Sequence, residues 1–198
     1  MTLRRLLHFA SNLAILVALA PAASAVPEAE SFIRDRQQDL AEFIQKKADD
    51  RIEKTFDSML DYPSLAKESL RDHWAERTPE ERAKFQCVLR QLVARAYRQN
   101  LSKTLGYRIR FEQTTPATDG FVVTTVAQNT KNVREAPITI AYLVHRQKGN
   151  WRIYDIVTEG SSLVRNYRNQ FGRVLKKQGF SELLRRMQKK LGPAASQC

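Results

Sequence analysis

The chain has few cysteines and lacks the sequence motifs of the common enzyme classes. Its 198 residues include two cysteines, Cys87 and Cys198, and their spacing fits neither a zinc site nor a CxxC redox pair. No G-x-S-x-G, Walker or dinucleotide-binding pattern occurs either. The sequence therefore supports neither zinc nor thioredoxin chemistry, and it carries none of the known nucleophile or nucleotide motifs.

Long apolar runs are also missing, except near the N-terminus. Residues 1–25 combine Arg4 and Arg5 with the apolar run 13–20 and an Ala-Ser-Ala pattern at 23–25, which is typical of a cleavable signal peptide. The run is too short for a membrane-spanning helix, which needs about 20 apolar residues. We therefore expect an exported protein that is soluble after cleavage.

The expected mature chain is a single domain. Cleavage after Ala25 leaves residues 26–198, and no cysteine at that point suggests a lipoprotein anchor. There are no internal repeats and no low-complexity linker, so a second domain is not expected. Residues 193–198 are predicted to form a loose tail.

Acidic residues are scarce in the C-terminal part of the chain. The whole chain carries a formal net charge of +12, and only one acid, Glu182, follows Leu163. A basic end indicates an anionic partner, such as lipid headgroups, an acidic protein face or a polyanion, unless it is only a solvated surface. Nucleic acid is not expected, because the protein is exported and no aromatic residues alternate with the charges. The basic residues are Arg165, Arg168, Arg173, Lys176, Lys177, Arg185, Arg186, Lys189 and Lys190.

Apolar spacing of three and four residues predicts helices at both ends of the domain. The pattern over 27–60 indicates one long and one shorter helix, and Pro63 begins a third. The sequence Thr-Pro-Glu-Glu at 78–81 is a capping box, which starts a helix that runs to about Asn100. Two further helices, separated by Gly179, close the domain.

Alternation of apolar and polar residues predicts four strands between these helices, at 107–112, 121–128, 138–146 and 151–158. A Lys-Gly-Asn hairpin at 148–150 joins the last two. Consecutive strands with short turns imply an antiparallel meander. The fold class is therefore α+β, with N-terminal and C-terminal helices packed on a four-stranded antiparallel sheet.

The most informative stretch is 151–171, W-R-I-Y-D-I-V-T-E-G-S-S-L-V-R-N-Y-R-N-Q-F. A period-two strand runs through Glu159-Gly160 straight into a helix with an aromatic-bearing apolar face. Further blocks are D-Y-P-S-L-A-K-E-S-L-R-D-H-W at 61–74, T-P-E-E-R-A-K-F at 78–85 and G-F-S-E-L-L at 179–184. Together, and in this order, the blocks resemble the MlaC or toluene-tolerance family.

The resemblance implies a soluble periplasmic carrier that shuttles phospholipid between the two membranes of Gram-negative bacteria. Such carriers belong to an ABC transport system that maintains the lipid asymmetry of the outer membrane. The implied partners are an inner-membrane ABC transporter with its MlaD-type subunit and an outer-membrane MlaA-type lipoprotein complex. Phospholipid is the cargo, and no enzymatic activity, metal, cofactor or ATP of its own is implied. We expect a monomer.

A carrier of acyl chains needs an apolar pocket, because each buried methylene contributes about 0.8 kcal/mol. The apolar faces of the predicted elements converge between the sheet and the helices, so we expect the pocket there. Periodicity alone does not separate pocket from core. The candidate lining residues are Trp74, Leu89, Val93, Tyr97, Ile109, Phe111, Ile140, Tyr142, Val144, Ile153, Val157, Tyr167 and Phe171.

Cations are expected at the pocket mouth and on the last helix. Arg168 flanks the apolar stripe of its helix and is the candidate for binding a headgroup phosphate, with an ordinary surface arginine as the alternative. The candidates for docking on an acidic partner or a headgroup layer are Arg185, Arg186, Lys189 and Lys190.

The alternative function is a cone-like α+β enzyme, an isomerase or a dehydratase. Asp155 is the one acid on the predicted strand face with Trp151, Ile153 and Val157, and a carboxylate in such a setting can act as a general base. Tyr154 has the opposite parity, however, and neither histidine of the domain has a motif around it. The simpler interpretation is that Asp155 accepts hydrogen bonds from an arginine or a helix N-terminus.

The two cysteines leave three states open. Cys87 is predicted on the polar face of its helix, and the tail from Pro193 to Cys198 could reach roughly 17 Å. An internal disulfide is thus within reach. Two free thiols and an intermolecular bond are the alternatives.

Overall fold

The computed structural model describes residues 25–104, 106–193 and 198. The signal-peptide prediction concerns residues that lie outside this part of the chain, apart from Ala25. The described elements follow the order helices, sheet, helix. They are α1 (Ala25–Gln45), α2 (Asp49–Met59), α3 (Tyr62–Leu70), α4 (Asp72–Ala75), α5 (Pro79–Thr104), β1 (Tyr107–Pro116), β2 (Phe121–Asn129), β3 (Ile138–Gln147), β4 (Asn150–Thr158), β5 (Ser161–Ser162) and α6 (Leu163–Leu191).

Side-chain caps start two of the helices where the sequence indicates. The amide of Glu81 donates to Thr78 Oγ1 at 3.2 Å and the amide of Thr78 donates to Glu81 Oε2 at 3.0 Å, which confirms the capping box of α5. At α3, Asp61 Oδ1 accepts from the Ser64 amide at 3.0 Å, next to Pro63 in the first turn. Both caps satisfy amides that have no partner within the helix.

The two predicted C-terminal helices are the two halves of α6, which is kinked at Gly179. Gly179 has φ 79° and ψ 179°, a conformation outside the helical region. A side chain would strain this backbone, whereas glycine adopts it readily. The kink brings Tyr167 and Phe171 of the first half and Met187 of the second half to one groove beside α5.

The sheet is the predicted antiparallel meander with one additional strand. Its order is β1-β2-β3-β4-β5, and the short β5 follows the turn at Glu159 and Gly160, both with positive φ. The prediction of four strands missed β5. A strand of two residues, Ser161 and Ser162, gives no detectable alternation.

A bulge in β4 moves one predicted pocket residue, Val157, to the other face of the sheet. Leu143 pairs with Asp155 and Val144 pairs with Ile153, so Tyr154 is an extra residue on β4. Beyond the bulge the parity of the strand is reversed. Ile156 lies opposite Tyr142 and shares its face, whereas Val157 lies opposite Ala141 on the other side of the sheet. The prediction that Val157 shares a face with Ile153 is wrong.

The core lies between one face of the sheet and the helices. Helix α1 contacts β1, β2 and β3, while α2, α3 and α6 contact β4. Val123 and Val144 of the sheet and Phe85 and Leu89 of α5 are fully buried in the same core cluster. None of the described helices combines the length and apolar character needed to cross a membrane.

An internal disulfide joins Cys87 and Cys198. Of the three cysteine states that the sequence left open, the structure therefore shows the internal disulfide. Cys87 is half-buried rather than exposed, and Gln91 Nε2 lies 3.0 Å from Cys198 Sγ. The loose-tail prediction concerns mainly residues 194–197, which are outside the described residues, but Cys198 itself is tied to α5.

Candidate functional site

The helices cover only part of the apolar face of the sheet. Directly opposed residues of antiparallel strands share a face, so the register places Ile109, Phe111 and Ile140 on the same side as Val144 and Ile153. Val144 and Ile153 are 0% and 1% exposed, whereas Ile109, Phe111 and Ile140 remain half-buried. We call the half-buried group, Ile109, Phe111, Ile140 and Tyr142, the open end of the sheet face.

Helix α1 places polar side chains beside the open end. Gln37 Nε2 donates to Tyr142 Oη at 3.0 Å, and the guanidinium of Arg34 stands 3.9 Å from the centre of the Phe111 ring. Burial raises the pKa of Tyr142, so its hydroxyl stays neutral at neutral pH. The open end therefore offers apolar surface with an uncharged hydrogen-bonding group at its side.

Helices α2 and α5 approach the same region through an aromatic pair. The rings of Phe56 and Tyr97 stack with their centroids 3.7 Å apart. Burial raises the pKa of Tyr97, and the neighbouring Tyr142 raises it further. These groups fit the uncharged, apolar part of a ligand better than an ion.

The predicted pocket residues separate into an open and a sealed group. Those at the open end or next to it are Tyr97, Ile109, Phe111, Ile140 and Tyr142. Those buried in the core are Leu89, Val93, Val144 and Ile153.

The remaining predicted pocket residues lie elsewhere. Tyr167 and Phe171 stack at 5.3 Å on α6, and Phe171 meets Phe85 edge to face. Trp74 of α4 packs against the guanidinium of Arg82. The structure therefore does not bring the α6 aromatics or Trp74 to the open end. The apolar spacing of a helix indicates which residues face inward, but it does not indicate whether they pack on the sheet or on another helix.

Asp155 has a structural explanation. Its Oδ1 accepts from the amides of Ile156 and Val164 at 2.8 and 3.0 Å, and its Oδ2 accepts from Ser162 Oγ at 2.6 Å. The carboxylate thus fixes the start of α6 against β4. The interpretation as a hydrogen-bond acceptor at a helix N-terminus is confirmed, and these three donors occupy the oxygens that a general base would use.

A second buried carboxylate was missed by the sequence analysis. Asp61 is 1% exposed, and its Oδ2 accepts from Ser64 Oγ at 2.6 Å, His145 Nε2 at 2.8 Å and Gln147 Nε2 at 2.9 Å. Burial alone would raise the pKa of Asp61, but the hydrogen bonds outweigh it and hold the pKa below its usual range. Its position two residues before Pro63 predicts a helix cap, whereas the partners on β3 depend on the tertiary fold. No group of three His, Cys, Asp or Glu side chains suited to a metal ion occurs in the described part of the chain.

The sequence model of the MlaC protein family matches residues 28–189. The chain belongs to the MlaC family. The match covers most of the chain and includes every block that carried the resemblance.

A solved structure is similar to this MlaC-family chain over most of its length. It is the phospholipid-binding protein from Ralstonia solanacearum, determined in complex with a phospholipid. The two share 20% sequence identity and superpose with a TM-score of 0.71, over 84% of this chain and 98% of the other. At this identity the likeness establishes the fold, which is the α+β arrangement expected from the sequence.

The α6 kink gives this MlaC-family chain a groove between α5 and α6. The groove has a volume of about 330 Å³, with Leu92, Phe171 and Met187 among its apolar lining and Arg95 and Lys190 at its side. The guanidinium of Arg95 donates to the carbonyl oxygens at the end of α6, at 3.0 and 3.2 Å. Arg95 thus ties α5 to the C-terminal end of α6 beside the groove.

The predicted cations have different partners. Arg168 binds the carbonyl oxygen of Glu68 at 2.9 Å and its carboxylate at 3.2 Å, so its guanidinium is engaged with α3. Arg185 and Arg186 both bind Glu182 and lower the pKa of that carboxyl to about 2. By contrast, Lys189 and Lys190 are exposed and have no carboxylate within salt-bridge distance among the described residues.

Proposed function

We propose that this MlaC-family protein binds phospholipid and carries it across the periplasm. The observation that carries the proposal is the open end of the sheet face, where apolar side chains face the helices without being sealed by them. Family membership supports it, and so does the phospholipid found with the structurally similar Ralstonia protein. In this proposal phospholipid is cargo, and the protein uses neither a cofactor nor ATP of its own.

The acyl chains would lie between the open end and the helices α1, α2 and α5. Burial of each methylene stabilises the complex by about 0.8 kcal/mol, so a chain of ordinary length is held without specific polar contacts. The neutral hydroxyls of Tyr97 and Tyr142 are suited to ester oxygens. Leu89, Val144 and Ile153 would support this wall from the core.

Headgroup recognition by Arg168 would compete with its contacts to Glu68. Its guanidinium would have to leave Glu68, or share its remaining N–H groups with the phosphate. In either of these two arrangements, Arg168 is the proposed cation for the headgroup phosphate. Arg34, beside Phe111 at the open end, is closer to where a headgroup would emerge, although it pairs with Glu30.

The last turns of α6 are the proposed docking surface. We define it by Arg185, Arg186, Lys189 and Lys190, all of them exposed. Its partners would be the MlaD-type subunit of an inner-membrane ABC transporter and an MlaA-type lipoprotein complex at the outer membrane. Exchange with both, by a monomeric carrier, would maintain the lipid asymmetry of the outer membrane. Electrostatic docking of this kind accelerates association and weakens with added salt.

Lipid extraction tests the cargo. Purified protein, as isolated and after incubation with phospholipid vesicles, is extracted with organic solvent and analysed by mass spectrometry. We expect phospholipid in a fixed molar ratio to protein. Absence of stoichiometric phospholipid from both preparations would refute the carrier proposal.

Charge reversal tests the docking surface. Lys189→Glu with Lys190→Glu removes exposed charges without breaking the Glu182 pairs, and Lys176→Glu with Lys177→Glu is a matched control on the first half of α6. We expect the first pair to slow lipid transfer to acceptor membranes carrying the transporter, most strongly at low salt, with lipid content unchanged. Equal effects of both pairs would mean that net charge matters and the site does not.

A further inference from the structure

A second cavity lies at the β3–β4 hairpin, away from the α5–α6 groove. Its volume is about 310 Å³. It is formed by α1, α2 and the hairpin, and its lining consists of Phe32, Arg36, Ser58, Gly149, Asn150, Trp151 and Arg152. None of these residues was singled out as a ligand contact by the sequence.

The lining is rich in cationic and N–H donors and contains no carboxylate. Arg152 is half-buried, and it has no carboxylate within 4 Å among the described residues; it donates only to the Trp151 carbonyl oxygen, at 3.1 Å. The indole Nε1 of Trp151 is buried without a hydrogen-bond partner in the same part of the chain. An unpaired buried donor is costly, and a half-buried guanidinium usually has an anion beside it.

Two arginines at the cavity are already paired with one carboxylate each. Arg36 lies 3.2 Å from Asp39, which leaves most of its five N–H groups available. Arg146 stands 4.9 Å from the centre of the Trp151 ring and pairs with Glu28. The side chains of the lining that can accept hydrogen bonds are those of Ser58 and Asn150, which are uncharged, and Ser58 Oγ already donates to the Thr55 carbonyl oxygen.

We propose that the hairpin cavity binds a phosphate-type oxyanion between Arg36 and Arg152. Guanidinium groups offer planar pairs of N–H donors that match phosphate oxygens, and such charge-assisted bonds are the strong ones. The anion would come either from free phosphate or from the phosphodiester of a lipid headgroup. The cavity has none of the open-end residues in its lining, so binding of free phosphate would not depend on the acyl-chain site, whereas binding of a headgroup rests on the proposed carriage of phospholipid.

Trp151 supplies a direct reporter. The chain has two tryptophans, so Trp74→Phe leaves Trp151 as the only source of indole fluorescence. Inorganic phosphate and glycerophosphoglycerol are titrated separately at constant ionic strength, with chloride as the reference anion. Calorimetric titration of the unchanged protein measures the dissociation constants of the same compounds without the Trp74 substitution.

We expect the fluorescence of Trp151 to change saturably with at least one phosphate compound and not to change with chloride. Saturation by glycerophosphoglycerol alone would identify the headgroup as the source, and saturation by inorganic phosphate would identify free phosphate. Arg36→Gln and Arg152→Gln should each weaken binding by about tenfold, while Arg108→Gln, an exposed arginine on β1, should leave it unchanged. A response that does not saturate, or that is as strong in Arg36→Gln and Arg152→Gln as in the unchanged protein, would overturn the proposal.

Discussion

Two substitutions on one strand distinguish pocket from core. Ile140 and Val144 are on the same face of β3, four residues apart, yet Ile140 is half-buried and Val144 is 0% exposed. Tryptophan at 144 must enter a close-packed layer, which costs about 1 to 3 kcal/mol. For a domain of this size the melting temperature should then fall by about 2 to 12 °C.

Tryptophan at 140 has space at the open end. We expect Ile140→Trp to change the melting temperature by less than Val144→Trp does, but to occupy volume that acyl chains need. If the indole displaces about two methylenes, the complex loses about 1.6 kcal/mol, which is about 15-fold in lipid affinity. Thr139→Trp, exposed on the opposite face, is the control and should alter neither property.

The assay combines thermal melts, followed by circular dichroism, with competition for labelled phospholipid in vesicles. Wild-type protein and each variant compete for the same limited lipid, and the bound fraction is measured after separation. If Ile140→Trp unfolds like Val144→Trp, or binds lipid like wild type, then Ile140 does not line a lipid pocket and the reasoning fails.

Three further predictions concern the polar groups and the disulfide. Asp61→Ala should lower the free energy of unfolding by about 3 to 5 kcal/mol at pH 7, because several half-buried donors lose their buried acceptor. The folded-state pKa of Asp61 is lowered, so the stability that its carboxylate contributes is fully present above the unfolded pKa of about 3.9 and is lost as the pH falls through the folded-state pKa. Urea unfolding in which wild type and Asp61→Ala differ in stability by the same amount at pH 7 and at pH 2 would contradict this. Asp155→Ala should cost about 1 to 2 kcal/mol in thermal melts, and full stability would disprove its capping role. Cys87 and Cys198 should take up no alkylating reagent in intact-mass measurements until a reductant is added, and reduction should remove at most about 4 to 5 kcal/mol of stability; two adducts without reductant would exclude the bond.

Local patterns were sufficient for the long helices, for strands β1 to β4 and for the capping box of α5. Thr78 and Glu81 satisfy each other across three residues, and the alternation in β1 to β4 spans each strand, so both features are legible in a short window of sequence. Family membership also follows from the sequence, because its signature is a set of blocks in a fixed order.

The sequence could not decide which apolar residues form a wall and which form core. Ile140 and Val144 have the same parity and similar side chains, and only the placement of helices over the sheet makes one half-buried and the other sealed. The bulge at Tyr154 reversed the parity that had put Val157 in the pocket, because one extra residue changes the face of everything after it.

The long-range polar contacts were likewise decided by the tertiary structure. Asp61 meets His145 and Cys87 meets Cys198 across large sequence separations, and no local pattern encodes such pairs. The composition of the chain determined that it has a basic C-terminal segment, but the fold decided that Arg185 and Arg186 share Glu182 while Lys189 and Lys190 face solvent. Periodicity specifies the inner face of an element; the partner of that face depends on how the elements pack.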